Sequence, residues 1–204
     1  MPRLDYSNGS CPALLLEPER TNLFPHSEYF NNWNAIFRCV VISNISETLD
    51  PTGNYGASKI LEDTSANSHG IGMTSTNSNS GEQLTFSVFL KAAERSWAFI
   101  RLYDGVESKY VWCNLSDGTL GDITAGATGT IVDYSNGWYR CSVSITMTTT
   151  GLNLPYIFAS TGNGVTSYTG DGTSGIYCYG AQLEQASYPT SYIPTYGVSQ
   201  TRLK

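Results

Sequence analysis

Short stretches in which apolar and polar residues alternate follow one another along most of the chain. The alternation is regular in Gln83–Lys91, Lys109–Leu115 and Trp138–Met147. A period of two residues is typical of β-strands that have one buried face. Between the stretches lie clusters of Gly, Pro, Asn, Asp and Ser, which favour turns. The pattern therefore predicts short strands joined by polar turns, and no amphipathic helix longer than one or two turns.

About ten strands are predicted, at a spacing of roughly 8–14 residues, which is typical of an all-β sandwich or barrel. The eleven candidate segments are Ala13–Glu17, Ile36–Ser43, Ala57–Glu62, Gly70–Thr74, Gln83–Lys91, Ser96–Tyr103, Lys109–Leu115, Thr128–Tyr134, Trp138–Met147, Leu154–Ser160 and Ser174–Gln185. Short strands in regular succession favour an antiparallel arrangement. The expected fold is therefore an all-β antiparallel sandwich or barrel.

The last predicted strand, Ser174–Gln185, is the longest near either end of the chain. Its residues 176–179 are apolar on both faces, which is typical of a strand in the middle of a sheet. We expect this strand to close the sandwich beside Ala13–Glu17. Residues 1–186 would then form one domain, and residues 187–204 would leave it as an extended arm stiffened by prolines.

Composition agrees with a single folded domain and excludes several classes of partner. The chain has 204 residues, a length at which folding buries roughly 70% of the unfolded surface. Aromatic residues make up 12% of the chain, which excludes a disordered chain. The net charge is −6 and the 11 Lys and Arg residues form no basic run, so neither nucleic acid nor an anionic membrane surface is an expected partner. No apolar run approaches the ~20 residues of a membrane-spanning helix.

The five cysteines form no C-x-x-C pair, so their spacing predicts no zinc site. We expect small buried apolar side chains at most of these positions, and whether any of them pair stays open. The positions are Cys11, Cys39, Cys113, Cys141 and Cys178. No signal peptide follows Met1, so we expect synthesis in the cytoplasm.

Four segments in a fixed order carry a family resemblance. They are Arg3–Phe24, which ends LLLEPERTNLF, His26–Trp33 (HSEYFNNW), Tyr134–Ile145 (YSNGWYRCSVSI) and Tyr177–Thr195 (YCYGAQLEQASYPTSYIPT). As a set they resemble a domain of tailed-bacteriophage structural proteins, especially tail fibres, tail spikes and other virion appendages. The resemblance spans essentially the whole chain. In that family the first segment lies inside a much longer chain, so a stand-alone protein and a domain cut from a fibre both remain open.

This resemblance implies a jelly-roll sandwich similar to carbohydrate-binding modules and concanavalin-like lectins. It also implies a place in the virion and a role in glycan binding or host attachment rather than in catalysis. The expected partners are a host cell-surface glycan or other virion proteins, with homo-oligomerisation as a further expectation. The alternative is a purely structural decoration or assembly protein that contacts other virion subunits.

Aromatic and polar side chains share the outward face of the middle strands. Sugar rings pack their C–H faces on aromatic rings, while neighbouring amide and guanidinium groups bond the sugar hydroxyls. The candidate glycan-binding residues are Trp97, Arg101, Tyr110, Trp112, Asn114 and Tyr156, with Asn153 beside the last of these. The alternative is that a second sheet or a loop covers these rings, because large aromatic side chains are usually at least partly buried.

Carboxylates give two further hypotheses. Many jelly-roll modules hold a structural Ca²⁺ with carboxylate and carbonyl oxygens, and the conceivable ligands are Glu17, Asp63, Asp171 and Glu184. Glu17 or Arg20 is also expected to pair near the end of the last strand, with Glu184, Gln182 or the backbone, as a clasp between the chain ends. A contact between subunits is the alternative for this pair.

Catalysis is not expected. Glycoside hydrolysis needs two carboxylates about 5–10 Å apart, and a chain with 17 acidic residues will hold such a pair by chance. No G-x-S-x-G motif is present, and His26 and His69 lie in polar segments. No catalytic residue and no cofactor other than the hypothetical Ca²⁺ are therefore assigned.

Overall fold

The computed structural model describes the backbone of residues 4–5 and 13–14, and the chain over residues 17–74 and 77–203. A single 3-10 turn, Phe30–Asn32, is the helical part of these residues. The strands, numbered in chain order, are β1 (Leu4–Asp5), β2 (Ala13–Leu14), β3 (Arg20–Asn22), β4 (Ala35–Phe37), β5 (Cys39–Ile42), β6 (Ser58–Glu62), β7 (Ala66–Asn67), β8 (His69–Gly72), β9 (Asn77–Ser78), β10 (Gln83–Ala92), β11 (Trp97–Tyr103), β12 (Ser108–Asn114), β13 (Thr119–Ile123), β14 (Ala127–Asp133), β15 (Trp138–Thr146), β16 (Gly151–Leu152), β17 (Tyr156–Ser160), β18 (Tyr168–Thr169), β19 (Gly175–Glu184) and β20 (Gln200–Arg202).

Two six-stranded antiparallel sheets pack face to face. The first sheet has the order β14-β15-β10-β19-β6-β5, and the second sheet has the order β13-β12-β11-β17-β8-β4. Four peripheral two-stranded pairs accompany them: β1-β2, β9-β16, β7-β18 and β3-β20. This arrangement confirms the predicted antiparallel β-sandwich of jelly-roll type.

The core lies between the two sheets and follows from the alternation in the sequence. Phe86, Val88 and Leu90 of β10 face Ile100 and Leu102 of β11, and all five are fully buried. Burying a side chain of this size stabilises the fold by roughly 1.5–3 kcal/mol. The inward and outward positions on these strands are those that the sequence predicts.

The number of strands is larger than predicted, because the two main sheets alone contain twelve, six in each. One reason is that the predicted strand Ile36–Ser43 is two strands, β4 in the second sheet and β5 in the first. Arg38 lies between them with a φ of 47°, a left-handed conformation that is uncommon outside glycine. This residue turns the chain from one sheet to the other, and alternation alone does not reveal such a break.

The last strand, β19, occupies the expected central position, between β10 and β6. All of its residues except Tyr177 are buried. The prediction that Ala13–Glu17 lies beside the last strand is wrong for Ala13–Leu14, because these residues form β2, which pairs with β1. The N-terminal segment reaches β19 further along, where Leu23 N donates a hydrogen bond to Leu183 O at 2.8 Å.

The C-terminal segment does not leave the domain as a free arm over residues 187–203. β20 pairs in antiparallel register with β3, and Thr190, Ile193 and Thr195 are buried. Ile193 N donates a hydrogen bond to Gln182 Oε1 at 2.6 Å. The segment covers polar side chains of β19. Hydrogen bonds between these side chains and the backbone of the segment replace the hydrogen bonds that an exposed arm would make with water.

Candidate functional site

The outer face of the second sheet, the face turned away from the core, collects the six residues that the sequence analysis selects as glycan-binding. They lie on β11, β12 and β17, which are neighbours in this sheet. Cross-strand register sets Trp97 opposite Asn114, and Arg101 opposite both Tyr110 and Tyr156. The sixth residue, Trp112, points outward between Tyr110 and Asn114. Strand pairing thus brings together residues up to about 60 positions apart in sequence. They share one surface because side chains two positions apart on a strand point to the same face of the sheet.

Two phenylalanines connect these residues, and we name the five rings Tyr110, Trp112, Phe99, Phe158 and Tyr156 the aromatic ladder. The ring centroids of Phe99 and Phe158 are 4.7 Å apart with an interplanar angle of 16°. Phe158 stacks on Tyr156 at 5.8 Å, and Phe99 contacts Trp112 at 5.2 Å. Neither phenylalanine is among the residues that the sequence analysis selects. The sequence feature that could have identified them is the alternation of outward positions on their strands, which places Phe99 between Trp97 and Arg101.

Burial divides this surface into a covered part and an accessible rim. Trp112 and Tyr156 are each only 7% exposed, and Trp112 Nε1 donates a hydrogen bond of 3.4 Å to Val165 O. The accessible rim consists of four partly exposed side chains: Trp97, Arg101, Tyr110 and Asn114. The covered rings therefore support the face, and the rim is the part of it that solvent reaches.

Polar groups on this surface differ in how far their bonding capacity is used. Asn114 Oδ1 accepts hydrogen bonds from the backbone N–H and the hydroxyl of Ser116. Asn153, which the sequence analysis sets beside Tyr156, is fully buried and donates to Ser78 Oγ at 2.8 Å. The rim therefore includes Asn114, and Asn153 has an internal role.

Arg101 lies over the ring of Tyr156, with its guanidinium carbon 3.9 Å from the ring centroid. A cation over an aromatic face is attracted by the negative charge of the π-system. Among residues 17–74 and 77–203, the guanidinium takes part in no ion pair or hydrogen bond, and its Nε atom is buried without an acceptor. Arg101 thus combines a cation–π contact with unused donors.

Asp171 and Asp63, two of the conceivable calcium ligands, use carboxylate oxygens in hydrogen bonds within the chain. Asp171 Oδ1 and Oδ2 accept hydrogen bonds from Thr173 and Ser174, and Oδ2 lies 3.2 Å from an Arg95 nitrogen. Asp63 Oδ1 accepts a hydrogen bond from Ser65 N at 2.8 Å. Over the part of the chain that the structure describes, no group of three His, Cys, Asp or Glu residues is arranged to hold a metal ion.

Glu17 and Glu184 instead form a clasp on the C-terminal segment. Glu17 accepts a hydrogen bond from Ser191 N at 2.8 Å and lies 3.0 Å from an Arg202 nitrogen. Glu184, which is fully buried, accepts hydrogen bonds from both the backbone N–H and the hydroxyl of Thr190. Both carboxylates therefore hold neighbouring residues of the same segment. This is the predicted contact of Glu17 with the backbone near the end of the last strand.

Glu62 is the centre of a second polar network that the sequence does not reveal. Its buried carboxylate accepts hydrogen bonds from Arg95 at both oxygens, from the Tyr168 hydroxyl at 2.6 Å and from Asp171 N at 2.9 Å. Burial alone raises the pKa of this carboxyl, but the hydrogen bonds and the charge of Arg95 outweigh it, and the net pKa is lowered. The network thus joins the loop after β18 to the end of β6.

The described residues contain no helix long and apolar enough to cross a membrane. Comparison with known proteins finds no protein-family model that matches the chain and no significant match among curated proteins.

Proposed function

We propose that this chain is a non-catalytic module of a phage virion appendage that binds glycans on the outer face of its second sheet. The observation that carries the proposal is the convergence of Trp97, Arg101, Tyr110 and Asn114 on one partly exposed rim. The phage assignment rests on the sequence resemblance of the terminal segments. The rim supplies the two kinds of group that sugars need, flat rings and hydrogen-bond donors.

The support under the rim favours a pre-formed site. Phe99 and Phe158 are 1% and 4% exposed, and their stacked rings fix the positions of the residues beside them. A rigid site loses little conformational entropy when a ligand binds. With few polar contacts, affinity at one site is expected to be weak, and repeated copies on a virion would strengthen it through avidity.

A glycan array probed with the purified chain tests this proposal. We expect binding above background that falls when Trp97→Ala and Tyr110→Ala are combined. Tyr55→Ala is the matched control, because Tyr55 is 61% exposed in a turn away from the second sheet. Absence of glycan binding by the unaltered chain, at densities that detect weak lectins, would overturn the proposal.

The second candidate is a structural subunit whose exposed apolar side chains contact other virion proteins. It is favoured by the edge strands β4 and β5, where Ile36, Val40 and Ile42 are 56%, 59% and 43% exposed. Light scattering separates the two candidates. A stable oligomer that dissociates on Val40→Lys, together with no glycan binding, supports the structural subunit.

A further inference from the structure

Arg101 forms no ion pair with a carboxylate in the part of the chain that the structure describes. Arg95 pairs with Glu62 and Asp171, and Arg202 pairs with Glu17. For Arg101 the described part of the chain provides the ring of Tyr156 and no carboxylate. Its guanidinium therefore has no hydrogen-bond acceptor among the described residues.

The surroundings of Arg101 keep that charge uncompensated. The outer positions of β11, β12 and β17, all of them described, are occupied by Trp, Phe, Arg, Tyr, Ser and Asn, with no acidic residue. The chain as a whole has a net charge of −6, so a face without a carboxylate around an arginine contrasts with its average surface. On these three strands, no carboxylate stands beside Arg101 to repel an anion.

The unused donors also have a geometry that selects among anions. A guanidinium presents parallel N–H groups that match the two oxygens of a carboxylate, and such charge-assisted bonds are about twice as strong as neutral ones. The rings beside Arg101, those of Tyr110 and Trp97, suit the C–H face of a sugar.

We propose that the glycan bound on this face is acidic, with a sugar carboxylate seated on the Arg101 guanidinium and the sugar ring against Tyr110. This inference rests on the proposed glycan-binding function and adds the chemical class of the ligand. The charge of Arg101 gives selectivity for the acid, and the aromatic rim gives the contact shared with neutral sugars.

The test compares uronic-acid and sialic-acid oligosaccharides with the same oligosaccharides after their carboxyl groups have been reduced to alcohols. By titration calorimetry at low salt, we expect at least one acidic oligosaccharide to bind roughly 10- to 100-fold more tightly than its reduced form. Arg101→Gln should remove that difference, and Arg101→Lys should keep part of it because charge remains without the paired donors. Arg38→Gln is the matched control, since Arg38 is exposed on the connection between the sheets.

The outcomes separate this inference from the function on which it rests. Equal binding of acidic and reduced forms, or binding of neutral glycans only, overturns the acidic ligand and leaves glycan binding in place. An Arg101→Gln variant that retains the full preference for the acid also overturns it. If no glycan of any kind binds, the proposed function falls and the inference falls with it. The urea midpoint of each variant shows whether the variant is folded. If Arg101→Gln does not fold, Arg101→Lys still tests whether the preference for the acid depends on the guanidinium.

Discussion

The ring of Tyr156 fills the space that a side chain at Gly72 would need, because a β-carbon there would lie 2.0 Å from Cδ1 of the tyrosine. The two residues are direct partners between β17 and β8. Gly70 stands in the same relation to Phe158, with a distance of 2.4 Å from its β-carbon position to Cδ1. Two glycines on one strand thus make room for two rings of the aromatic ladder, and the ladder depends on them.

Gly72→Ala is expected to destabilise the fold by about 1–3 kcal/mol, the range for overpacking a well-filled site. Gly151→Ala is the matched control, since a β-carbon at Gly151, also on a strand, meets no atom within 4 Å. The control should change the free energy of unfolding by less than about 0.5 kcal/mol. Urea titration followed by tryptophan fluorescence measures both. Equal stability of the two variants would show that the Tyr156 ring moves aside freely.

The alternation of residues predicts the orientation of the side chains on β11 and β12, but not their neighbours across the sheet. Arg101 and Tyr110 are close enough in sequence to be joined by a short connection, and a hairpin places them together. Tyr156 reaches Arg101 only because β17 inserts beside β11, and no local pattern encodes that pairing. The role of Gly72 depends on the same long-range register. The sequence therefore predicts which residues of β11 and β12 point outward, but not the pairing with β17 and β8 that supports them.

The C-terminal segment is a second case in which the sequence pattern predicts the local conformation but not the long-range contacts. Prolines at 189 and 194 correctly indicate an extended chain, but they do not tell whether it is free or docked. Docking depends on Asn22, which lies in the segment used for the family resemblance and has no apolar character. A short polar motif of this kind carries its information in hydrogen bonds, which hydrophobic patterns do not report.

Asn22 is fully buried and joins three parts of the chain. Its Nδ2 donates to Ala181 O at 3.1 Å and to Ile193 O at 2.8 Å. Its Oδ1 accepts from Phe24 N and Leu183 N, each at 3.1 Å. All four bonding positions of the amide are therefore used, and no other side chain of this size offers two donors and an acceptor in that geometry.

Asn22→Asp should lower the free energy of unfolding by about 2–4 kcal/mol, because an oxygen would face two carbonyl oxygens in a buried site. Asn31→Asp is the control, since Asn31 is exposed and donates one hydrogen bond to Ser43. Hydrogen exchange should also show faster exchange in residues 190–195 of the Asn22 variant. Protection of these amides at the level of the unaltered chain would contradict the role assigned to Asn22.

Four buried thiols should be unreactive in the folded protein. Burial raises the pKa of Cys39 to about 11. It also raises the pKa of Cys141 and of Cys178 well above the usual value. The fourth thiol, Cys113, is likewise buried and forms no disulfide. Because the thiolate is the reactive form, labelling by a disulfide reagent at pH 8 should be slow. Cys11 lies outside the described residues, so the measurement uses a Cys11→Ser background. Unfolding in urea should expose all four thiols at once, and rapid labelling of any of them in the native protein would contradict the packing.

The Glu62 network predicts how stability depends on pH. Burial raises the pKa of Glu62, but its bonds with Arg95 and Tyr168 more than offset this, so the folded-state pKa lies below the ordinary 4.5. A carboxyl with a depressed pKa stabilises the fold fully above its unfolded value and loses that contribution as the pH falls through its folded value. The pKa of Asp171, lowered mainly by the Ser174 hydroxyl, acts in the same direction.

We therefore expect the free energy of unfolding, measured in urea between pH 7 and pH 2, to be constant down to about pH 5 and to fall below it. Glu62→Gln should lower stability at pH 7 by about 2–3 kcal/mol, because Arg95 loses its countercharge, and should flatten the decline in acid. Glu47→Gln, at an exposed position, should reproduce the unaltered profile. A Glu62→Gln variant whose acid decline is as steep as that of the unaltered chain would show that other carboxylates set the pH dependence.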